Sequence, residues 1–190
     1  MFAVLFVFWE MNFTPRKLFV IVGDPHSGKT RTIQQLFQRK QFYAYKQPIK
    51  LDTLWKERFI VINAPPPYSA AEDHLRRIKS IIQYHTAADT SFLLNISLVF
   101  DSSVQDVKGI LQYFNQTAFE IYYMVLSSSW FDKKVICPST VVQLEEYVKN
   151  GTIHVFDLLV TRSELRFRQR IADIRLFLQH MLAGVSGKKT

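Results

Sequence analysis

The feature that most constrains this chain is an eight-residue run, Gly23–Thr30, that lies between an apolar segment and an amphipathic one. Its letters, GDPHSGKT, fit the pattern G-x-x-x-x-G-K-[ST] without a gap. The segment before it, residues 18–22, is short, apolar and rich in β-branched side chains, which predicts a buried strand. The segment after it, residues 29–40, carries its apolar side chains on one side, which predicts a helix. A strand, a tight loop and a helix are therefore expected in succession.

Each residue type in this run suits the binding of an anion. Gly23 and Gly28 allow backbone conformations and close approaches that a side chain would block. The N–H groups of such a loop turn inward, and the first turn of the helix adds unbonded N–H groups and the positive end of its dipole. Lys29 can reach the β- and γ-phosphates of a nucleotide, and the Thr30 hydroxyl can ligate Mg²⁺. The expected nucleotide-binding residues are Gly23, Asp24, Pro25, His26, Ser27, Gly28, Lys29, Thr30 and Arg31.

On this motif and its setting, the chain resembles the P-loop nucleoside triphosphatase superfamily. The resemblance implies a three-layer α/β fold that binds Mg²⁺ and a nucleoside triphosphate, which we expect to be ATP. It also implies catalytic roles for Lys29 and for a Walker B aspartate. Asp101 is the candidate, because it follows the apolar segment 93–100, and it would hold the Mg²⁺ together with Thr30. The alternative interpretation of Asp101 is an N-cap of the next helix.

The chain departs from the superfamily pattern where hydrolysis needs a base. In many relatives a Glu beside the Walker B aspartate polarises the attacking water, but here the next residue is Ser102. Other members carry the base at the end of the second strand, where this chain has Asn63. Glu72 and Asp73 are the nearest substitutes along the chain. We therefore expect slow or partner-stimulated hydrolysis, and the alternative is a nucleotide-dependent switch or scaffold without significant turnover.

Two further groups of residues are candidates for contact with phosphate or with a partner. Ser127 and Ser128 follow the predicted fourth strand, where a polar residue senses the γ-phosphate in some relatives; the alternative is an ordinary polar loop. Arg162, Arg166 and Arg170 are spaced to share one face of the last helix, and Arg162 stands at the ligand side of the sheet. The arginines indicate either a surface that binds nucleic acid or a protein partner, or simply the solvated face of a helix.

The rest of the chain alternates apolar, strand-like segments with amphipathic, helical ones. Five strands are predicted at residues 18–22, 59–62, 93–100, 121–126 and 153–160. Because a helix follows each of them, we expect a mainly parallel five-stranded sheet with helices on both faces and ligands outside the carboxyl ends of the strands. Residues 43–57 can hold an edge strand or a helical turn. A capping box at Thr161–Glu164 predicts the start of the last helix.

Three kinds of P-loop protein fit this pattern. The first is an ATPase with an extra strand between the P-loop strand and the Walker B strand, favoured by Asp101 on the third strand and the serines on the fourth. The second is a small-molecule or nucleotide kinase, although residues 130–138 lack the arginines of a kinase lid. The third is a small GTPase, although the strand that ends at Asn63 lacks Asp-x-x-Gly and the guanine signature Asn-Lys-x-Asp is missing.

Length and charge set the remaining bounds. The 190 residues suit one P-loop nucleotide-binding domain over residues 1–183, with an apolar extension at 1–12 and a flexible tail at 184–190. The apolar start is shorter than the about 20 residues that span a bilayer, and the natural start could be Met1 or Met11. The formal charge of +8 either favours a polyanionic partner or serves solubility alone. Cys137 is the only cysteine, so no internal disulfide forms, and we expect a cytoplasmic protein without a transmembrane segment.

Overall fold

Strands and helices alternate along the chain, as the sequence predicts. The computed structural model describes residues 15–51, 57–64, 70–100, 106–129, 134–156 and 159–183. Their elements, in chain order, are β1 (Lys17–Gly23), α1 (Lys29–Phe37), β2 (Ile49–Lys50), β3 (Arg58–Ile62), α2 (Ala71–Tyr84), β4 (Thr90–Ser97), α3 (Lys108–Asn115), β5 (Glu120–Leu126), α4 (Pro138–Tyr147), β6 (Thr152–Phe156) and α5 (Glu164–Ala183). The α/β class is therefore confirmed.

The strands form one six-stranded sheet in the order β2-β3-β4-β1-β5-β6. Five of them run parallel, which matches the predicted sheet. The sixth, β2, pairs antiparallel with the start of β3, through Ile49 with Phe59 and Lys50 with Arg58. It lies within residues 43–57, where the sequence left an edge strand and a helical turn open, so the edge strand is the outcome.

Helices cover both faces of the sheet because the central strand is apolar on both sides. All seven residues of β1 are buried. Phe19 and Ile21 pack with α1 and α5 on one face, whereas Leu18, Val20 and Val22 pack with α2, α3 and α4 on the other. A strand that is buried on both faces reads as a continuous apolar run, which is what residues 18–22 show.

The neighbours of β1 exclude one of the three predicted kinds of P-loop protein. In register, β1 pairs directly with β4 on one side, Gly23 facing Ser97, and with β5 on the other. No strand lies between β1 and the strand that leads toward Asp101, so the prediction of an ATPase with an inserted strand is wrong. The chain crosses β1 as it passes from β4 through α3 to β5. The carboxyl end of β1 is thus the point where the strand order reverses, the usual place for a ligand in such a sheet.

Strand β4 ends earlier than the sequence predicts. The Leu98 N–H still bonds to the Gly23 carbonyl at 3.0 Å, but the Val99 N–H turns back to the Ser97 carbonyl at 3.2 Å. The apolar side chains of residues 98–100 therefore belong to a turn rather than to the strand. Asp101 lies outside the described residues, as do the extension 1–12 and the tail 184–190.

Helix α5 differs from its prediction in two ways. It begins at Glu164, and the Ser163 hydroxyl accepts the Arg166 N–H at 3.4 Å, so Ser163 takes the cap position that the sequence assigned to Thr161. Arg162 precedes the helix, and Arg170 is completely buried. The prediction that Arg162, Arg166 and Arg170 share one exposed face is therefore wrong. Among the helices within the described ranges, none has the length and apolar character to cross a membrane.

Two glycines allow the fold to be tested by a matched pair of substitutions. Gly151 has φ +118°, and a Cβ there would lie 2.6 Å from the Ile121 carbonyl oxygen, whereas a Cβ on Gly109 would meet nothing within 4 Å. We expect Gly151→Ala to lower the free energy of unfolding by about 2 kcal/mol or more, because strain and a backbone clash combine. Gly109→Ala lies in α3 and should be neutral or stabilise by up to about 1 kcal/mol. Urea unfolding measures both, and equal destabilisation would contradict this geometry.

Candidate functional site

The run Gly23–Thr30, here called the glycine loop, connects β1 to α1 in a tight turn. The Ser27 N–H bonds to the Asp24 carbonyl at 3.1 Å, and both His26 (φ 63°) and Gly28 (φ 87°) adopt the left-handed conformation. Gly28 is the N-cap of α1, and no side chain caps the helix there. The N–H groups of the first turn of α1 are therefore left to an outside acceptor, and an anion at this end also meets the positive end of the helix dipole.

Gly23 sits where only a glycine fits. A Cβ on it would lie 2.8 Å from the Ser27 hydroxyl oxygen and 3.1 Å from the Leu126 carbonyl oxygen. The first contact is within the loop, and the second is with the end of β5. This close approach sets the glycine loop directly beside the carboxyl end of β5.

The Lys29 side chain folds back into the glycine loop. Lys29 is only 7% exposed, and its ammonium donates to the Gly23 carbonyl at 3.1 Å, the Asp24 carbonyl at 2.7 Å and the Ser27 hydroxyl at 3.3 Å. Burial lowers the Lys29 pKa to about 8, against the attraction of the Asp24 carboxylate, which raises it. The loop thus encloses a positive charge held by neutral acceptors, for which phosphate oxygens are stronger partners.

Next to Lys29, the exposed Thr30 is held by a residue that the sequence analysis did not single out. Asn95, 1% exposed on β4, donates from Nδ2 to the Thr30 hydroxyl at 3.1 Å. Its Oδ1 accepts the Ala64 N–H, just after β3, at 2.5 Å. The signal was present in the sequence: Asn95 is the one amide side chain in the buried run FLLNI, and a buried amide needs partners.

His74 completes this network from the first turn of α2. Its Nε2 lies 3.2 Å from the Asn95 carbonyl, and because a carbonyl only accepts, Nε2 carries the proton. The imidazole is 5% exposed, and burial lowers its pKa to about 4. Within the described residues, His74 Nδ1 and Asn63 Oδ1 are buried acceptors without a hydrogen-bond partner. Two unsatisfied acceptors therefore lie by the carboxyl ends of β3 and β4.

The serines after β5 attach the glycine loop to its neighbours. Ser129 donates to the His26 carbonyl at 3.1 Å, and Ser127 donates to the Phe156 carbonyl at 2.7 Å. The Ser128 hydroxyl accepts the Val160 N–H at 3.0 Å and an Arg170 N–H at 2.6 Å. The hydroxyls of the predicted sensors Ser127 and Ser128 thus bond to β6, to the segment before α5 and to α5.

A cavity of about 230 Å³ lies between the glycine loop and the end of β5. It is lined by Asp24, Pro25, His26, Ser27, Leu126, Ser127, Ser128, Ser129, Lys134 and Ile136. The buried Arg170 donates to Ser128 in this lining, and burial lowers the Arg170 pKa to about 10. The structure therefore brings the loop and the predicted serines together around one concave space.

Other predicted residues lie at the margin of this site. Arg31 pairs with Glu164 of α5 at 3.1 Å, and its guanidinium lies 4.8 Å from the centre of the Phe167 ring. Glu72 and Asp73 are exposed in the first turn of α2, and Arg162 is exposed in the turn before α5. In the described part of the chain, no cluster of three or more His, Cys, Asp or Glu side chains is placed to hold a metal.

Comparison with known proteins adds a likeness of shape. No protein family and no curated protein sequence matches the chain. Among solved structures, it is similar to Kti12 of Chaetomium thermophilum, which was crystallised in complex with ADP-AlF3. The two chains share 13% identity with a TM-score of 0.40, and the match covers 83% of this chain and 96% of that one. No residue role is transferred at this level of similarity.

The buried His74 makes a testable contribution to stability. The His74 pKa is about 4 in the folded chain, whereas an unperturbed histidine, as in the unfolded chain, has a pKa of 6.5. Between these pH values the unfolded chain therefore binds more protons than the folded chain. The stability from the neutral imidazole is complete above about pH 6.5 and is lost as the pH falls toward 4. We expect the free energy of unfolding to fall by about 2 kcal/mol more from pH 7 to pH 5 in the natural chain than in His74→Gln, which can still donate to Asn95. Urea titrations at both pH values measure this, and identical pH dependence would refute it.

Proposed function

We propose that this chain binds a nucleoside triphosphate with Mg²⁺, with ATP as the expected nucleotide, through the glycine loop. The observation that carries the proposal is the Lys29 ammonium, enclosed by the loop beside the uncapped start of α1. A phosphate chain in the loop would accept from the backbone N–H groups and from this ammonium. The ammonium would then exchange neutral carbonyl acceptors for charged oxygens, which form stronger hydrogen bonds.

In this proposal, the metal is held by the Thr30 hydroxyl, with Asp101 acting through water. Asn95 donates to the Thr30 oxygen, so it fixes the orientation of that hydroxyl while leaving a lone pair for a cation. Mg²⁺ keeps several waters and takes the rest of its ligands from phosphate and a few protein oxygens. A site with few protein ligands suits this cation.

Slow hydrolysis is proposed because the end of β3 carries an amide. Asn63 stands there with a buried Oδ1, and an amide cannot take a proton from water as a carboxylate does. Phosphoryl transfer depends mostly on positioning and charge stabilisation, so a partner could still supply what this chain lacks. The same residue favours the second candidate function, a switch or scaffold that binds nucleotide without significant turnover.

Replacing Lys29 tests the site directly. We expect Lys29→Ala to weaken binding of a fluorescent ATP analogue about 10- to 100-fold, because a charge-assisted hydrogen bond is lost. Lys40→Ala removes the same charge from an exposed position beyond α1 and should bind like the natural chain. Equal affinities for all three proteins would reject the site. Phosphate release from the natural chain, measured alongside, separates slow hydrolysis from the switch.

The lowered Lys29 pKa also predicts how affinity depends on pH. In the free protein the Lys29 pKa is about 8, and bound phosphates raise it. Above pH 8 the complex therefore keeps a proton on Lys29 that the free protein has lost. Affinity should be constant just below pH 8 and should fall as the pH rises above it, by up to about tenfold per pH unit. Lys29→Arg keeps its charge throughout and should flatten this decline. Calorimetric titrations measure it, and an equally steep decline in both proteins would exclude Lys29 as its source.

A further inference from the structure

A larger cavity lies at the end of the sheet opposite to the glycine loop. Helix α1 leads away from the loop for nine residues, or about 13 Å, and the chain beyond it folds over the start of β3 before forming β2. This segment encloses a volume of about 790 Å³, here called the amino-end groove. It is lined by Phe37, Gln38, Arg39, Gln41, Phe42, Tyr43, Ala44, Lys46, Gln47, Pro48, Ile49, Lys50, Leu51, Phe59, Val61 and Arg175.

All the charged side chains in the described lining of the amino-end groove are positive. Its described lining contains the cations Arg39, Lys46, Lys50 and Arg175 and no Asp or Glu. The first three are exposed. Arg175 donates from Nη2 to the Leu36 carbonyl at 2.8 Å, and its Nε is buried without a partner among the described residues. Such a lining attracts an anion.

Exposed aromatic rings cluster at the same place. Among the described residues, the only exposed Phe, Trp or Tyr side chains are three tyrosines: Tyr43 at 62%, Tyr45 at 45% and Tyr84 at 64%. Tyr43 lines the groove, and the Tyr45 and Tyr84 rings meet edge to face at 5.7 Å. Large aromatic side chains are usually buried when a protein folds. Three exposed tyrosines in neighbouring segments therefore indicate a surface that a ligand covers.

The turn that carries Tyr43 and Tyr45 is fixed to α2, which ends at Tyr84. The Tyr45 hydroxyl bonds to the Ser80 hydroxyl at 3.0 Å, and His85 Nε2 lies 2.5 Å from the Ala44 carbonyl, to which it donates. The Lys46 ammonium lies 5.3 Å from the centre of the Tyr43 ring. Rings and cations are therefore held next to each other before any ligand binds.

We propose that the amino-end groove, together with Tyr43, Tyr45 and Tyr84 beside it, binds single-stranded nucleic acid. Lysine and arginine side chains contact successive phosphates, and the tyrosine rings stack on unpaired bases, the combination that sequence-tolerant single-strand binding uses. A single nucleotide would fill the groove but would leave Tyr45 and Tyr84, which lie outside its lining, without a role. An acidic peptide would use the cations but not the ring faces. This site is separate from the glycine loop and does not depend on nucleotide binding there.

Fluorescence anisotropy tests this with the full chain and a labelled oligouridylate of about 15 nucleotides, within the usual range of site sizes. We expect Tyr43→Ala and Tyr84→Ala each to weaken binding by about fivefold or more, because each removes a stacking platform. Lys46→Gln with Lys50→Gln should weaken binding and reduce the slope of log affinity against log salt by about 0.7 for each charge removed. Both tyrosines and both lysines are exposed, and thermal melting confirms that the variants fold.

The matched control removes two exposed cations elsewhere, by Lys149→Gln with Arg168→Gln, and should leave affinity unchanged. Lys29→Ala should also bind the oligonucleotide normally, which separates this site from failure of the glycine loop. Equal losses in the groove and control pairs, or normal binding by both tyrosine variants, would show attraction by bulk charge and overturn the proposal. Equal or tighter binding of duplex DNA, of uridine monophosphate or of an acidic peptide would also overturn it, because each identifies a different ligand class.

Discussion

The hydrogen bonds of the buried Lys29 ammonium are the interaction on which the proposed site depends. A buried charge is costly unless hydrogen-bonded, so Lys29 requires the nearby acceptors that the Gly23 and Asp24 carbonyls and the Ser27 hydroxyl supply. Those acceptors converge only because the loop turns sharply, with Gly28 in a left-handed conformation and Gly23 pressed against the end of β5. The loop shape, the lowered pKa and the uncapped helix start are thus parts of one arrangement.

Asn95 extends that arrangement beyond the loop. Its side chain joins Thr30 to the chain after β3, and its carbonyl is held by His74 of α2. A ligand that moves Thr30 would therefore displace hydrogen-bonded groups at the ends of β3 and β4 and in the first turn of α2. Asn95 and His74 are buried, so the exposed Thr30 is the end of the network that a ligand would reach. This is the physical basis on which the switch interpretation stands beside slow hydrolysis.

The two proposed sites lie at opposite ends of one short helix. Helix α1 begins at the glycine loop and ends in the lining of the amino-end groove. Arg175 of α5 donates to the carbonyl of Leu36, which lies in the last turn of α1. Both proposed sites are therefore built partly on the same helix.

Local patterns in the chain were enough to predict the strand–loop–helix unit around Gly23–Thr30 and the α/β alternation, because apolar periodicity and glycine spacing are local signals. They also indicated the region of β2. They placed the end of β4 three residues too late, because an apolar turn resembles a strand, and the start of α5 too early, because two hydroxyl residues compete for one cap. The folded chain was needed to show that β1 contacts β4 directly, that Arg170 is buried against Ser128, and that Asn95 bonds to Thr30. These contacts join residues far apart in the chain, and their energies depend on which strands become neighbours, which no local pattern encodes.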